Sequence, residues 1–289
     1  AFKIDCTTAD ASPASGDNLF FQYKLEGQDL GVFRKGTSEA RQFTLQFWVK
    51  SNKTGTGQVC LFDDNSRAVG KTYTISSADT WEHKTLTFPA DTSGAFDDDN
   101  SKGLEIEWAL DAGSDFQGGT LPASWGSSNN NFRSINDFAL ADNTANDWAI
   151  TGIQLEAGSV ATPFENRSYG EELAKCQRYC AVFGNGSNGA ASWMVSGCAN
   201  ATTSMYCNYR LPVYPRSTPS VTLTGQFIFS DYYAVDHTFT SPTISTQSQS
   251  GEIGGRIYIT GVSGLTAGRF MGGQNGLGGT GKATFTMEL

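Results

Sequence analysis

The chain has 289 residues, of which 17% are charged and 33 are Gly, and it carries a formal net charge of −9 at pH 7. That length buries one large core or two ordinary ones, and few charges with abundant Gly, Ser, Thr and Asn suit short strands joined by polar turns. The acidic balance argues against binding nucleic acid through its backbone, which calls for clustered Lys and Arg, and no apolar run approaches the roughly 20 residues that span a bilayer.

The chain opens AFKIDC on Ala1, not Met, and lacks the basic start and long apolar stretch of a signal peptide. Residues 1–18 are therefore expected to be a lead-in from a longer polypeptide. In FTLQFWVK, Phe43, Leu45, Phe47 and Val49 alternate, as one face of a strand requires. Lys71 to Ile75 and Lys84 to Phe88 are shorter examples. Leu104 to Leu110 repeats the pattern, with Glu105 and Glu107 expected on the wet face. From Trp148 to Leu155 the apolar phase shifts across Gly152, which predicts a β-bulge there. Residues 19–165 thus read as an antiparallel β-sandwich.

After Pro163 the period changes. Ser168 followed by Glu171 is a capping box, and Tyr169, Leu173, Cys176 and Cys180 recur at helical spacing. Residues 166–180 are read as a linking helix. Strand signals resume at Ser192–Ser196, Thr203–Leu211, Val221–Thr224, Phe227–Phe229, Arg256–Thr260 and Ala283–Leu289. Phe183 to Gly189 reads as a turn, and Gly272 to Gly281 as a loop without the strand-loop-helix context of a phosphate cradle. Residues 181–289 form a second, smaller β-sandwich-like domain on this reading, and the fold class is all-β.

Six cysteines, irregularly spaced, and two histidines argue against a zinc site. In a reducing cytoplasm most of the thiols are expected to be small buried groups.

The stretch 161–180, ATPFENRSYGEELAKCQRYC, closely resembles a motif of tail-fibre and related structural proteins of phages and prophages. Upstream, GTSEARQFTLQFWVKSNKTGT, YTISSADTWEHKTLTFPADTSG and WAITGIQLEAGSVATPFE agree with it in order, so the resemblance covers roughly residues 19–180. One departure is Cys180, where similar proteins tend to carry an aromatic residue. The resemblance implies a jelly roll of the carbohydrate-binding-module type in a virion protein that works as a homotrimer beside other virion proteins. It also implies assembly in the host cytoplasm and service outside the cell. Pro163, Phe164, Glu165, Arg167, Glu171, Leu173 and Arg178 are read as domain-junction and assembly residues, with Glu165 and Arg167 able to pair.

Candidate chemistry is sparse. Asp63 and Asp64, and Asp97, Asp98 and Asp99, each lie beside an Asn and present hard oxygen ligands for a structural calcium ion; the alternative is a solvated turn. No catalytic residues are assigned: His83 and His237 lack a nucleophile elbow, and nothing supports glycoside hydrolysis by the acidic clusters. Sugar rings stack their C–H faces on aromatic planes while Asn and Asp bind hydroxyls. Trp125, in a polar loop, needs a partner: its own core, a neighbouring subunit or a ligand. Asp231, Tyr232, Tyr233 and Asp236 form a polar-aromatic turn and are the candidate receptor site. The expected function is a non-enzymatic distal fibre or spike segment that binds host surface polysaccharide or lipopolysaccharide. A head fibre or capsid-decoration part, and a carbohydrate-binding or depolymerase module of a surface enzyme, are the alternatives.

Overall fold

The structure, a computed structural model, describes residues 1–184, 193–230, 236–240, 243–246, 253–275 and 281–288. It divides into two compact units, Ala1–Asn166 and Arg167–Glu288. Both are built of antiparallel sheets.

Unit 1 contains β1 (Phe2–Asp5), β2 (Asn18–Glu26), β3 (Phe43–Ser51), β4 (Gly55–Asp63), β5 (Arg67–Ile75), β6 (Glu82–Phe88), β7 (Lys102–Ala112), β8 (Gly126–Ser127) and β9 (Asp147–Ala157). They form a four-stranded sheet, β1-β9-β3-β6, and a five-stranded sheet, β2-β7-β4-β5-β8. Successive strands change sheet except at β4–β5 and β7–β8, which gives a jelly-roll β-sandwich. Phe43, Leu45, Phe47 and Val49 are all fully buried, because a period of two turns every second side chain of β3 inward. Phe47 packs edge-on against Trp108 of the opposite sheet, with ring centroids 5.6 Å apart.

Three expectations are corrected. Residues 1–18 are not only a lead-in: β1 pairs with β9 from Phe2–Ile150 to Asp5–Asp147, and Lys3 bridges Asp5 and Asp147. Glu105 and Glu107 are buried, not wet, because the chain from Phe116 to Ile135 folds over the outer face of the five-stranded sheet. There Phe132 joins Cys60 and Ala68 in a small second core, with Leu121 and Ile135 beside them. Gly70 makes room for this cover, since a Cβ there would stand 2.1 Å from Leu121. Under it, Arg133 pairs with Glu107, and its guanidinium lies 4.6 Å from the Phe20 ring centroid. The third correction concerns thiols: of the six cysteines, all free, only Cys60 and Cys207 are buried. Burial raises both of these thiols to about 12.

The bulge forms at the expected place. The β3–β9 register shifts between Gln46 and Trp48, and Gly152 takes a φ of +60°, a left-handed conformation that glycine adopts without steric cost.

Unit 2 begins with α1 (Tyr169–Gln177), whose Ser168–Glu171 capping box is complete. Its strands are β10 (Cys180–Gly184), β11 (Trp193–Ala201), β12 (Ser204–Arg210), β13 (Ser220–Thr224), β14 (Gln226–Ser230), β15 (Asp236–Thr240), β16 (Thr243–Thr246), β17 (Gly254–Thr260), β18 (Phe270–Asn275) and β19 (Lys282–Thr286). A three-stranded sheet, β10-β19-β13, and a seven-stranded sheet, β15-β14-β18-β11-β12-β17-β16, enclose a core centred on Phe227, Phe229, Ile257, Ile259, Met271 and Phe285. Two stretches read as turn or loop begin as strand, and their residues 185–189 and 276–280 lie outside the described residues. Phe183 and Gly184 end β10, paired with β19, and Gly272 and Gly273 lie within β18, between β11 and β14. Neighbouring ladders hold these weak strand formers in place, which local propensity does not register.

Candidate functional site

The outer face of the four-stranded sheet carries a cluster that alternation alone assembles. Opposite the buried Phe43, Leu45, Phe47 and Val49, β3 turns Thr44, Gln46, Trp48 and Lys50 outward. Register sets His83 of β6 and Thr151 of β9 beside Trp48, and Gln154 beside Gln46. Trp48 is 43% exposed, and its ring centroid is 5.1 Å from that of His83. His83 Nε2 and Gln46 Oε1 are 3.1 Å apart. Trp81, also exposed, lies 5.9 Å from Lys50 Nζ at the same end of the face.

The chain leaving β9 folds back over this face. Gln46 Nε2 donates to Glu156 Oε2 at 3.0 Å and to the Thr162 carbonyl at 2.6 Å. The Thr162 amide and hydroxyl both donate to Glu156, and the Glu165 amide donates to Gln154 Oε1 at 2.8 Å. Burial works to raise the Glu156 carboxyl, but the hydrogen bonds from Thr162, Gln154 and Gln46 outweigh it and hold the group below its ordinary 4.5. Phe164, itself 46% exposed, comes to the bulge, where a Cβ on Gly152 would be 3.2 Å from Trp48 and 4.0 Å from Phe164. The result is an aromatic ridge, Trp48 with His83 and Phe164, fringed by amide, carboxylate and hydroxyl groups already fixed in place. Such a surface stacks on an apolar ring face and hydrogen-bonds around its rim.

The residues singled out from sequence fall differently. Trp125 is 8% exposed and is a core residue: its ring packs 5.5 Å from Phe43, and its Nε1 donates to the Pro89 carbonyl at 2.9 Å. A polar loop carried it, but the ring reached the sandwich, so it offers no sugar platform. Asp231, Tyr232 and Tyr233 lie outside the described residues; Asp236 opens β15, and its side chain is also outside them.

Of the calcium candidates, Asp63 is engaged otherwise. Asp63 is fully buried against Lys35, with Nζ–Oδ2 2.5 Å, and its Oδ1 accepts from the amides of Asn65 and Arg67. Lys35 also reaches Asp91 at 3.1 Å and the carbonyls of Ser93 and Gly94, while Arg67 holds Asp91 from the other side. An ammonium therefore occupies the cradle of hard oxygens that a metal would need. Asp64 sits beside Asp63 and Asp97, and its carboxyl is pushed up, mainly by burial. Asp97, Asp98 and Asp99 are exposed. Among the described residues, no group of three or more His, Cys, Asp and Glu side chains is placed to hold a metal ion.

The junction motif divides between the units. Pro163, Phe164 and Glu165 belong to the arm over the sheet; Arg167 pairs with Glu172 at 3.4 Å, Glu171 caps α1, and the Arg178 carbonyl accepts from the Arg216 amide. Leu173 is 38% exposed. Sequence reasoning missed Trp48, although a tryptophan out of phase with four buried apolar neighbours was the available signal.

No protein-family model matches the chain, and no curated protein matches it. Among solved structures, one described as "CBM4 structure and function" is similar at 12% identity, over 50% of this chain and 79% of that one, with a TM-score of 0.25. An oxalate decarboxylase is similar at 9% identity, over 100% of this chain and 77% of that one, with a TM-score of 0.13. The formate complex of the Lactobacillus farciminis oxalate decarboxylase is similar at 8% identity, over 97% and 88% of the two chains, with a TM-score of 0.11. At these scores none of the three carries an argument about this chain.

Proposed function

We propose that the chain is a non-enzymatic, glycan-binding structural part of a bacteriophage fibre or spike, and that the ridge at Trp48 takes the sugar. The observation that carries the glycan reading is a half-exposed tryptophan on the sheet, with His83 and Thr151 as its cross-strand neighbours. A sugar's C–H face stacks on such a ring while its hydroxyls meet the rim. The virion reading is supported by the ordered motifs ending in ATPFENRSYGEELAKCQRYC, whose first part forms the arm against that same ridge. Trimeric display then multiplies a weak single-site affinity through effective concentration.

Trp48→Ala tests the site. Half of the ring is already in solvent, so the unfolding midpoint is expected to stay close to that of the parent chain. Binding of the purified chain to host cell-envelope polysaccharide is expected to weaken roughly tenfold or more, the scale of about 1.4 kcal/mol. Unchanged binding by a folded Trp48→Ala chain overturns the assignment. Release of reducing ends from the polysaccharide overturns the non-enzymatic reading.

A further inference from the structure

Strand register in the seven-stranded sheet of unit 2 lines up a second set of side chains. Phe270 of β18 lies opposite Cys198 of β11, Cys198 opposite Tyr206 of β12, and Tyr206 opposite Tyr258 of β17. Their chain neighbours Met271, Ala199, Met205, Cys207, Ile257 and Ile259 are buried in the core, so the row stands on the other face of the sheet. On that face Phe270 is 52% exposed, Cys198 is exposed, and Tyr206 and Tyr258 are half-buried. Four strands at a spacing of roughly 4.8 Å make a row about 14 Å long, which suits an extended chain of rings better than a single one.

The planar groups are already organised. The Tyr206 and Tyr258 rings are 4.7 Å apart, and the Arg256 guanidinium carbon is 4.4 Å from the Tyr206 centroid. The adjacent row is polar: Ser196 faces Asn208, and Asn208 faces Arg256.

Charge selects the ligand class. β11, β12, β17 and β18 carry Arg210 and Arg256 and not one Asp or Glu. Residues 167–289 hold eight Lys and Arg against six Asp and Glu, whereas residues 1–166 hold twelve against 23. This is a cationic, aromatic face on an otherwise acidic chain. Two arginines over that length are too few for a nucleic acid strand, which carries a phosphate every ~3.4 Å.

We propose that this face is a second binding surface, and that its ligand is an acidic polysaccharide. Sugar C–H faces pack on the row from Phe270 to Tyr258, and carboxylates meet the guanidinium groups of Arg256 and Arg210. It extends the glycan reading to unit 2 and is separable from the Trp48 site.

The test titrates the full chain with labelled alginate oligosaccharide, with a dextran oligosaccharide and single-stranded dT as comparators, at low and high salt. Alginate oligosaccharide is expected to bind, to weaken as salt rises, and to outcompete both comparators. Tyr258→Ala and, at the exposed end, Phe270→Ser are each expected to weaken it roughly tenfold with an unchanged unfolding midpoint. Arg256→Gln removes about half of the salt dependence, one of the two cationic contacts, and Trp48→Ala leaves this binding intact. The proposal fails if alginate oligosaccharide does not bind, if dextran binds equally, or if dT binds more tightly. It fails too if Phe270→Ser and Arg256→Gln both bind as the parent does. Loss on Trp48→Ala alone would overturn this surface and leave the first site standing.

Discussion

Lys35 shows what a single residue does in the sandwich. Its side chain and that of Asp63 are both 0% exposed, and Trp125 and Phe96 close over the ammonium at 5.0 and 5.3 Å. Two buried carboxylates, Asp63 and Asp91, depend on this one cation and on Arg67. Removing one member of a buried pair strands the other charge, at a cost of about 3–5 kcal/mol. Lys35→Met is therefore expected to lower the unfolding free energy by about that much, read from the denaturant midpoint, with Asp63→Asn added to it restoring part of the loss. The acidic cluster at Asp63 was visible in the sequence. Its cation was not, because it lies 28 residues away and no local pattern ties the two.

At the scale of elements, alternation located both β3 and β7 as strands, but it could not tell how far the outer face of each is covered. β3 has its alternation and its exposed Trp48. β7 has the same alternation, yet Glu105 and Glu107 lie under the cover formed by Phe116 to Ile135, held by Gln22, Lys102 and Arg133. A loop without periodicity cannot announce which face it will cover. The bulge in β9 was legible because Gly152 interrupts an apolar phase. Gly152→Ala forces a Cβ into a left-handed backbone at φ +60°, at about 1–2 kcal/mol, and 3.2 Å from Trp48. That variant is expected to unfold earlier by this amount and to shift Trp48 fluorescence; an unchanged spectrum would show that the bulge does not seat the ring.

At the scale of the molecule, the chain is two β-sandwiches of unequal charge. Helix α1, at the start of the second, is nine residues long and buries none of them. Helices this short are marginal in water without packing, and Tyr169 and Leu173 are both exposed. The homotrimer is proposed here as the source of that packing. Light scattering is expected to give three times the 31.0 kDa of the chain, and Leu173→Asp to reduce it to one; a monomeric parent chain overturns the trimer.

The sequence by itself determined the all-β class, the strands of alternating pattern, the bulge at Gly152 and the capped helix. Each is a local rule, set by side-chain period or backbone sterics within a few residues. Tertiary structure decided which faces are covered, and so which residues are available. It buried Trp125 and Glu107, gave Asp63 to Lys35, and drew the segment Phe2–Asp5 into a sheet with β9. It also set Trp48 beside His83 and Phe164, and Tyr206 beside Tyr258. Those outcomes depend on register and on loops packing across long separations, where the energy lies in contacts that no short stretch of chain contains.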